Sequence, residues 1–270
     1  MTMKRKTIGC IGAGNMGGAI LSRLAANIDP SLVFVYDVDA GRADSLARAT
    51  GITAVSSAEE LARSSGIIII AVKPDAVAAV LSSIKGKITP ESIIVSIAAG
   101  ISLAAMEKII GASGKIVRVM PNTPVMVGEG MSVLSPNANV DGDSLLEVEQ
   151  VFSRTGRAMV LPEKLMDAVT GLSGSGPAYV FTFIQALADG GVKLGIPRDK
   201  ALILAAQTVL GAARYVIESG EDPMSLRGKV TSPGGTTIEG IHVLERSGFA
   251  GIVMDAVERA AQKSQRLGEK

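Results

Sequence analysis

The sequence predicts an α/β protein, with a Rossmann-type doubly wound sheet over residues 1–162 and an all-helical domain over residues 163–270. Three observations predict it. A strand, a glycine-rich turn and a helix follow one another at the N-terminus; short apolar runs alternate with helical patterns as far as Pro162; and beyond Pro162 the pattern is helical alone. Alternation of this kind implies a parallel sheet, because parallel neighbours need a crossover long enough to hold a helix.

Thr7 to Ile11 reads as the first strand, and Gly12-Ala13-Gly14-Asn15-Met16-Gly17 then opens a helical pattern that lasts to Ala26. In a GxGxxG turn so placed, the first glycine permits the tight turn, the second lets the backbone approach a pyrophosphate, and the third lets helix and strand pack closely. Leu32 to Tyr36 is the second strand. Asp37 stands at its end, twenty residues beyond Gly17, where an acid accepts the ribose hydroxyls of an adenosine. The rhythm continues with a helix from Asp39 to Thr50, a short strand Thr53–Val55, a helix Ala58–Arg63 and the isoleucine-rich strand Gly66–Val72. Asp75–Ile84 and Leu103–Ile110 read as helices and Ser92–Ile97 and Lys115–Met120 as strands. Met131–Leu134 and Arg157–Leu161 look like added strands flanking a helix over Ser144–Phe152. The helical part contains Leu165–Leu172, Ala178–Leu194, Arg198–Ser219, Thr237–Arg246 and Gly251–Leu267.

Composition narrows the function classes. With 27 basic against 26 acidic side chains the formal charge is +1, and no basic run is interleaved with aromatics, so nucleic acid is not an expected partner. The single cysteine, Cys10, rules out an internal disulfide framework and fits a reducing compartment; inside the first strand it reads as a small buried residue. Lys4-Arg5-Lys6 begins like a signal peptide, but the glycine turn cuts the apolar stretch short, and Ile67–Val72 is too short to cross a bilayer. A cytoplasmic protein with no membrane partner is expected.

Ligands in open α/β sheets bind at the carboxyl ends of the strands. The segments there are Val72-Lys73-Pro74, Ala98 within Ser96–Gly100, and Asn122-Thr123 between Pro121 and Pro124, all of which could line a nicotinamide. Lys73 also fits a solvated lysine at a helix start, and Asn122 and Thr123 also fit plain turn chemistry. In the helical part, Val230-Thr231-Ser232-Pro233-Gly234-Gly235-Thr236-Thr237 carries no charge and precedes a helix. Such a loop leaves backbone N–H groups free for a small anion such as a carboxylate, although Thr236 or Thr237 could equally serve as an ordinary N-cap. The sequence shows no metal-ligand spacing, no nucleophile elbow, and one histidine, His242, which fits a packed or surface role better than catalysis. Hydride delivery to an electron-poor carbon suits so few reactive side chains, because a cofactor performs the step.

Gly12–Gly17, Ala71–Pro74, Met120–Pro124, Asp167–Tyr179, Ala188–Val192 and Ser232–Thr237 together resemble pyrroline-5-carboxylate reductase over nearly the whole chain. The resemblance implies reduction of the cyclic imine 1-pyrroline-5-carboxylate to L-proline by NADH or NADPH. It also implies that the helical part is a dimerisation domain, giving a homodimer often assembled into a decamer. By position, Gly234, Gly235 and Thr236 would offer backbone N–H groups to the substrate carboxylate, helped by Ser175, while the hydroxyl of Thr237 meets the ring nitrogen. Gly12, Gly14, Asn15, Met16, Gly17, Asp37, Val72, Lys73, Pro74, Ala98, Asn122 and Thr123 would hold the cofactor. Family members place small, amide or basic residues after the second strand to receive a 2′-phosphate; Asp37 and Asp39 stand there instead, so NADH is expected to be favoured and NADPH tolerated, with Arg42 close enough in sequence to compensate. Two other readings are a dehydrogenase for a hydroxy acid or for another cyclic imine such as pyrroline-2-carboxylate, and a nucleotide-sensing protein. The lack of an evident base in the helical part weighs against the hydroxy acid, and the Ser232–Thr237 loop against the sensor.

Overall fold

The computed structural model describes residues 6–268, so Lys4 and Arg5 of the basic N-terminal run lie outside the described residues. Strands β1 (Ile8–Ile11), β2 (Val33–Tyr36), β3 (Thr53–Ala54), β4 (Ile67–Ile70), β5 (Ile93–Ser96), β6 (Lys115–Met120), β7 (Gly130–Pro136) and β8 (Gly156–Val160) form one sheet in the order β3-β2-β1-β4-β5-β6-β7-β8. The first six are parallel. Their connections include α1 (Asn15–Ala25), α2 (Ala40–Thr50), α3 (Ala58–Ser64), α4 (Pro74–Ile84) and α5 (Leu103–Ile110). The order reverses between β1 and β4, which is where a doubly wound sheet opens a crevice for a ligand.

Strand alternation splits the core between two faces. Cys10, Val35, Ile69 and Val95 share one face with Ile20 and Leu24 of α1 and with Phe152 of α6 (Gly142–Ser153). Ile68, Ile70 and Ile94 share the other with Leu61 of α3, Leu81 of α4 and Met106 of α5. All four isoleucines of β4 are buried, as a central strand with helices on both sides requires. Burial, with the Asp37 carboxylate as a lesser cause, pushes the Cys10 thiol up to about 12, so it is an inert packing group.

The sheet departs from the expected parallel arrangement at one edge. β6 and β7 are antiparallel, with Met120 opposite Val133, and β8 then returns parallel to β7 by way of α6. Residues 121–129 form only a short connection, well below the crossover of about a dozen residues that parallel neighbours need.

By its contacts the chain forms two compact units, one comprising the residues up to Ser175 and from Arg259 onward, the other Gly176–Glu258. The segment 163–175, which sequence grouped with the helical domain, thus packs with the sheet. It consists of a 3-10 turn at Glu163–Leu165, helix α7 (Met166–Val169) and a π-turn at Thr170–Gly174, where a single helix was expected. Polar contacts fasten it. Glu163 Oε1 accepts the Leu103 N–H at 2.7 Å and Arg118 Nη1 at 3.3 Å, and the Ser264 hydroxyl donates to Asp167 at 2.6 Å.

The second unit holds α8 (Gly176–Lys193), α9 (Arg198–Ser219), α10 (Pro223–Lys229), α11 (Thr236–Arg246) and the beginning of α12 (Phe249–Gly268). α8 and α9 pack around Ala188, Ala201 and Ala205. Gly191 permits their close approach, since a Cβ there would come within 3.3 Å of the Ala201 side chain. Sequence reading missed α10, whose signal is Asp222-Pro223: the carboxylate caps the Met224 N–H at 2.9 Å and proline occupies the first turn. Leu194, Ile203, Leu204 and Met254 are exposed within the single chain. By length and composition α9 could cross a membrane.

Candidate active site

The crevice at the strand ends is shaped by three glycines, each for its own reason. Gly12 has φ +109°, and a Cβ on it would lie 2.5 Å from the Ala71 carbonyl oxygen. A Cβ on Gly17 would lie 2.1 Å from the Gly12 carbonyl oxygen, so the missing side chain lets α1 start directly over β1. A Cβ on Gly14 would meet no protein atom within 4 Å. That position faces open space. Gly14 is the N-cap of α1, which has neither a side-chain cap nor an acidic residue in its first turn. Its leading N–H groups therefore remain available for an anion, with the helix dipole in support. Asn15 and Met16 begin the helix, and an open cleft of about 710 Å³ runs from Ala13, Gly14 and Asn15 along α1 to Ser22, walled by Arg42, Leu46 and Met126.

Asp37 ends β2 with both carboxylate oxygens engaged: Oδ2 accepts the Ala13 N–H at 2.7 Å and Oδ1 the Asp39 N–H at 2.9 Å. The acid thereby fixes the glycine turn as well as placing a negative charge beside it. Arg42 pairs with Asp39 at 3.2 Å. Val38, between the two acids, is 92% exposed, an apolar surface the sequence reading did not single out. A glycine cradle, an uncapped helix start and an acid at the second strand fit a dinucleotide. When bound, its nicotinamide supplies a hydride.

The remaining expected contacts sit at the next strand ends. Val72 follows β4, Lys73 is the exposed N-cap of α4 with Pro74 in the first turn, and Ala98 is buried just beyond β5. Thr123 is exposed at the start of a 3-10 turn, Thr123–Val127. Asn122 is committed within the protein: its Oδ1 accepts the Met131 N–H at 2.8 Å, and its Nδ2 donates to the Ser173 carbonyl at 3.2 Å. Ser175 closes the π-turn, its N–H donating to the Thr170 carbonyl at 2.8 Å.

In the helical unit, Gly235 rather than either threonine is the N-cap of α11, and the cap has no side-chain hydrogen bond. The threonine-cap alternative therefore does not describe this helix. Gly234 takes φ +68°, which glycine adopts without strain. The Gly235 N–H is turned inward, donating to the Ser232 carbonyl at 3.0 Å. The outward donors are then those of the first helical turn, at Thr236 and Thr237. His242 is exposed on the same helix, in an open groove with Ile238, Ile241 and Glu245 and across from Arg227. Among the described residues no cluster of His, Cys, Asp or Glu has the makings of a metal site.

This combination defines a nicotinamide-dependent oxidoreductase with a separate helical unit, and comparison with known proteins gives the family. Residues 7–100 match the family described as NADP oxidoreductase coenzyme F420-dependent, and residues 163–267 that described as pyrroline-5-carboxylate reductase dimerisation. The pyrroline-5-carboxylate reductase of Methanosarcina acetivorans is 44% identical over 270 residues, covering 99% of this chain and 100% of its own. The Escherichia coli enzyme of the same name is 44% identical over 266 residues, covering 98% and 99%. Among solved structures, the Coxiella burnetii pyrroline-5-carboxylate reductase superposes with TM-score 0.94 at 32% identity, covering 99% of this chain and 100% of its own. A Plasmodium falciparum pyrroline carboxylate reductase with NADP bound gives 0.87 at 37% identity, covering 98% and 99%. The chain belongs to the pyrroline-5-carboxylate reductase family. The dimerisation match supports self-association, and α9 with its exposed apolar side chains lies within the matched residues.

Gly14 at the cap of α1 and Gly17 in its first turn are expected to separate binding from stability. Gly14→Val is expected to weaken NADH binding by about tenfold or more while the melting temperature stays within about 2 °C. Gly17→Ala forces a Cβ against backbone and should cost about 1–3 kcal/mol of stability. Fluorescence titration and thermal unfolding check both, and equal destabilisation by the two would contradict this division.

Proposed function

We propose that the protein reduces 1-pyrroline-5-carboxylate to L-proline with hydride from NADH or NADPH, the last step of proline biosynthesis, and that it does so in the cytoplasm as a homodimer or an assembly of dimers. The observation that carries the substrate assignment is the uncapped start of α11, where Gly235 turns its N–H inward onto Ser232 and the N–H groups of Thr236 and Thr237 are left outward, free of any competing side-chain acceptor at the cap. A carboxylate held there by two or three charge-assisted hydrogen bonds gains about 1.5–3 kcal/mol from each. Ser175, in the sheet unit, is a further candidate substrate contact by the family resemblance alone. The hydride goes to the carbon of the protonated imine, whose C=N π electrons pass to the ring nitrogen, which keeps its proton. The Thr237 hydroxyl orients that nitrogen, so the reaction needs no strong side-chain acid.

For the cofactor, the charges around Asp37 support a preference for NADH, with NADPH tolerated. Asp37 is held rigidly by two backbone N–H groups at the position that meets the adenosine ribose, and Asp39 offsets the charge of Arg42. A 2′-phosphate would meet two carboxylates and a cation already paired. Exposed Val38 offers an apolar surface for the adenine. The Asn122 side chain is taken up by Met131 and Ser173, so a cofactor contact from this turn falls to its backbone and to Thr123.

Loss of NADH absorbance on addition of pyrroline-5-carboxylate, with L-proline as product, tests the assignment; reduction of a keto acid with this imine untouched would refute it. Thr237→Val keeps the shape and removes the hydroxyl, and should lower kcat/KM by about ten- to a hundredfold while NADH binding stays nearly unchanged. Wild-type activity in that variant would return Thr237 to a purely helical role.

Asp37→Ser removes the charge beside the ribose. It also removes support from the glycine turn, but that loss falls on both cofactors alike, so their ratio isolates the charge. The ratio of kcat/KM for NADH to that for NADPH should fall by at least about tenfold, mostly through KM. A ratio that does not move would show that the choice is made elsewhere.

A further inference from the structure

The turn Thr170–Ser175 presents the one substrate contact proposed in the sheet unit, yet its own sequence, Thr-Gly-Leu-Ser-Gly-Ser, gives it little reason to be rigid. Two of its six residues are glycines, and it is wound as a π-turn rather than a regular helix. Its order comes from the end of β6. A Cβ on Gly174 would lie 2.5 Å from the Met120 Cε, so the glycine seats the turn directly on the last residue of that strand. Two residues along, Asn122 Nδ2 donates to the Ser173 carbonyl at 3.2 Å and reaches its hydroxyl at 3.4 Å. The carboxamide is itself aimed by the start of β7, whose Met131 N–H donates to Oδ1 at 2.8 Å.

We infer that Asn122 is a positioning residue: it locks the Ser173–Ser175 turn onto the ends of β6 and β7 and thereby sets where Ser175 meets the substrate. The chemistry selects this residue type. Only a carboxamide carries an acceptor and two donors on one short planar group. Aspartate keeps the acceptor but sets a carboxylate against the Ser173 carbonyl, and serine is too short to reach both partners. The inference rests on the reading of Ser175 as a substrate contact.

Full-length wild type, Asn122→Ala, Asn122→Asp and Ser175→Ala enzymes are compared by amide hydrogen exchange, by NADH affinity from fluorescence titration, and by kinetics with the imine. In both Asn122 variants, exchange across residues 170–175 should quicken by about tenfold or more. Their kcat/KM for the imine should fall by about tenfold, while the NADH Kd changes by less than about twofold. The Met131 amide should stay protected in Asn122→Asp, which retains the acceptor, and lose protection in Asn122→Ala. If the alanine variant does not fold, the isosteric aspartate carries the test. Unchanged exchange at 170–175 overturns the inference, as does a weakened NADH Kd with exchange unaltered, which would make Asn122 a direct cofactor contact. Should Ser175→Ala leave the kinetics intact while the Asn122 variants still loosen the turn, the substrate reading of Ser175 fails and the locking role of Asn122 stands.

Discussion

The close seating of α1 on the end of β1 is the constraint on which the nucleotide corner depends. Gly17 has no Cβ to strike the Gly12 carbonyl 2.1 Å away, and Gly12, at φ +109°, has none to strike Ala71. With both contacts free of side chains, the chain turns within a few residues from strand into helix and the leading N–H groups of α1 face outward. The same turn brings the Ala13 N–H to within 2.7 Å of the Asp37 carboxylate. One geometric requirement therefore links the glycine spacing, the acid at the end of β2 and the open space at Gly14. A side chain at either crowded glycine would disturb all three together.

The two units solve burial differently. The sheet unit hides its strands under helices on both faces, and the isoleucines of β4 are fully covered. The helical unit has a buried centre of three alanines, while Leu202, Ile203, Leu204 and Leu210 of α9 stand exposed. Contiguous exposed apolar surface is a mark of interaction sites. Residues 163–267, which include α9, match a dimerisation family.

Much of this was legible in the sequence, for identifiable reasons. The glycine turn, Asp37 and the buried strand Ile67–Ile70 announce themselves through local chemistry and periodicity, and the observed elements fall within a few residues of their expected ends. The antiparallel β7 was legible only through the shortness of residues 121–129, a constraint on topology rather than on pattern. Helix α10 was signalled by Asp222-Pro223 but is too short to show periodicity. The break of Leu165–Leu172 into α7 and a π-turn, and the attachment of this segment to α5, α12 and the turn after β6 through Glu163, Asp167 and Ser173, arise from partners distant in sequence. The same holds for Asn122, whose neighbouring prolines suggest a stiff turn but do not show that its side chain is spent on Met131 and Ser173. At Gly235 the sequence suggested a free donor, and the turn geometry folds that N–H back onto Ser232.

Under the proposed function the site works by orientation, with backbone N–H groups and hydroxyls and without a titrating side-chain acid. The pH dependence of kcat/KM for the imine at saturating NADH, between about pH 6 and pH 9, tests it most directly. The account predicts a profile that follows the protonation of the substrate alone and is unchanged in His242→Gln, which alters the only histidine in the chain. A limb that disappears or moves in that variant, with activity falling by about tenfold or more, would contradict it.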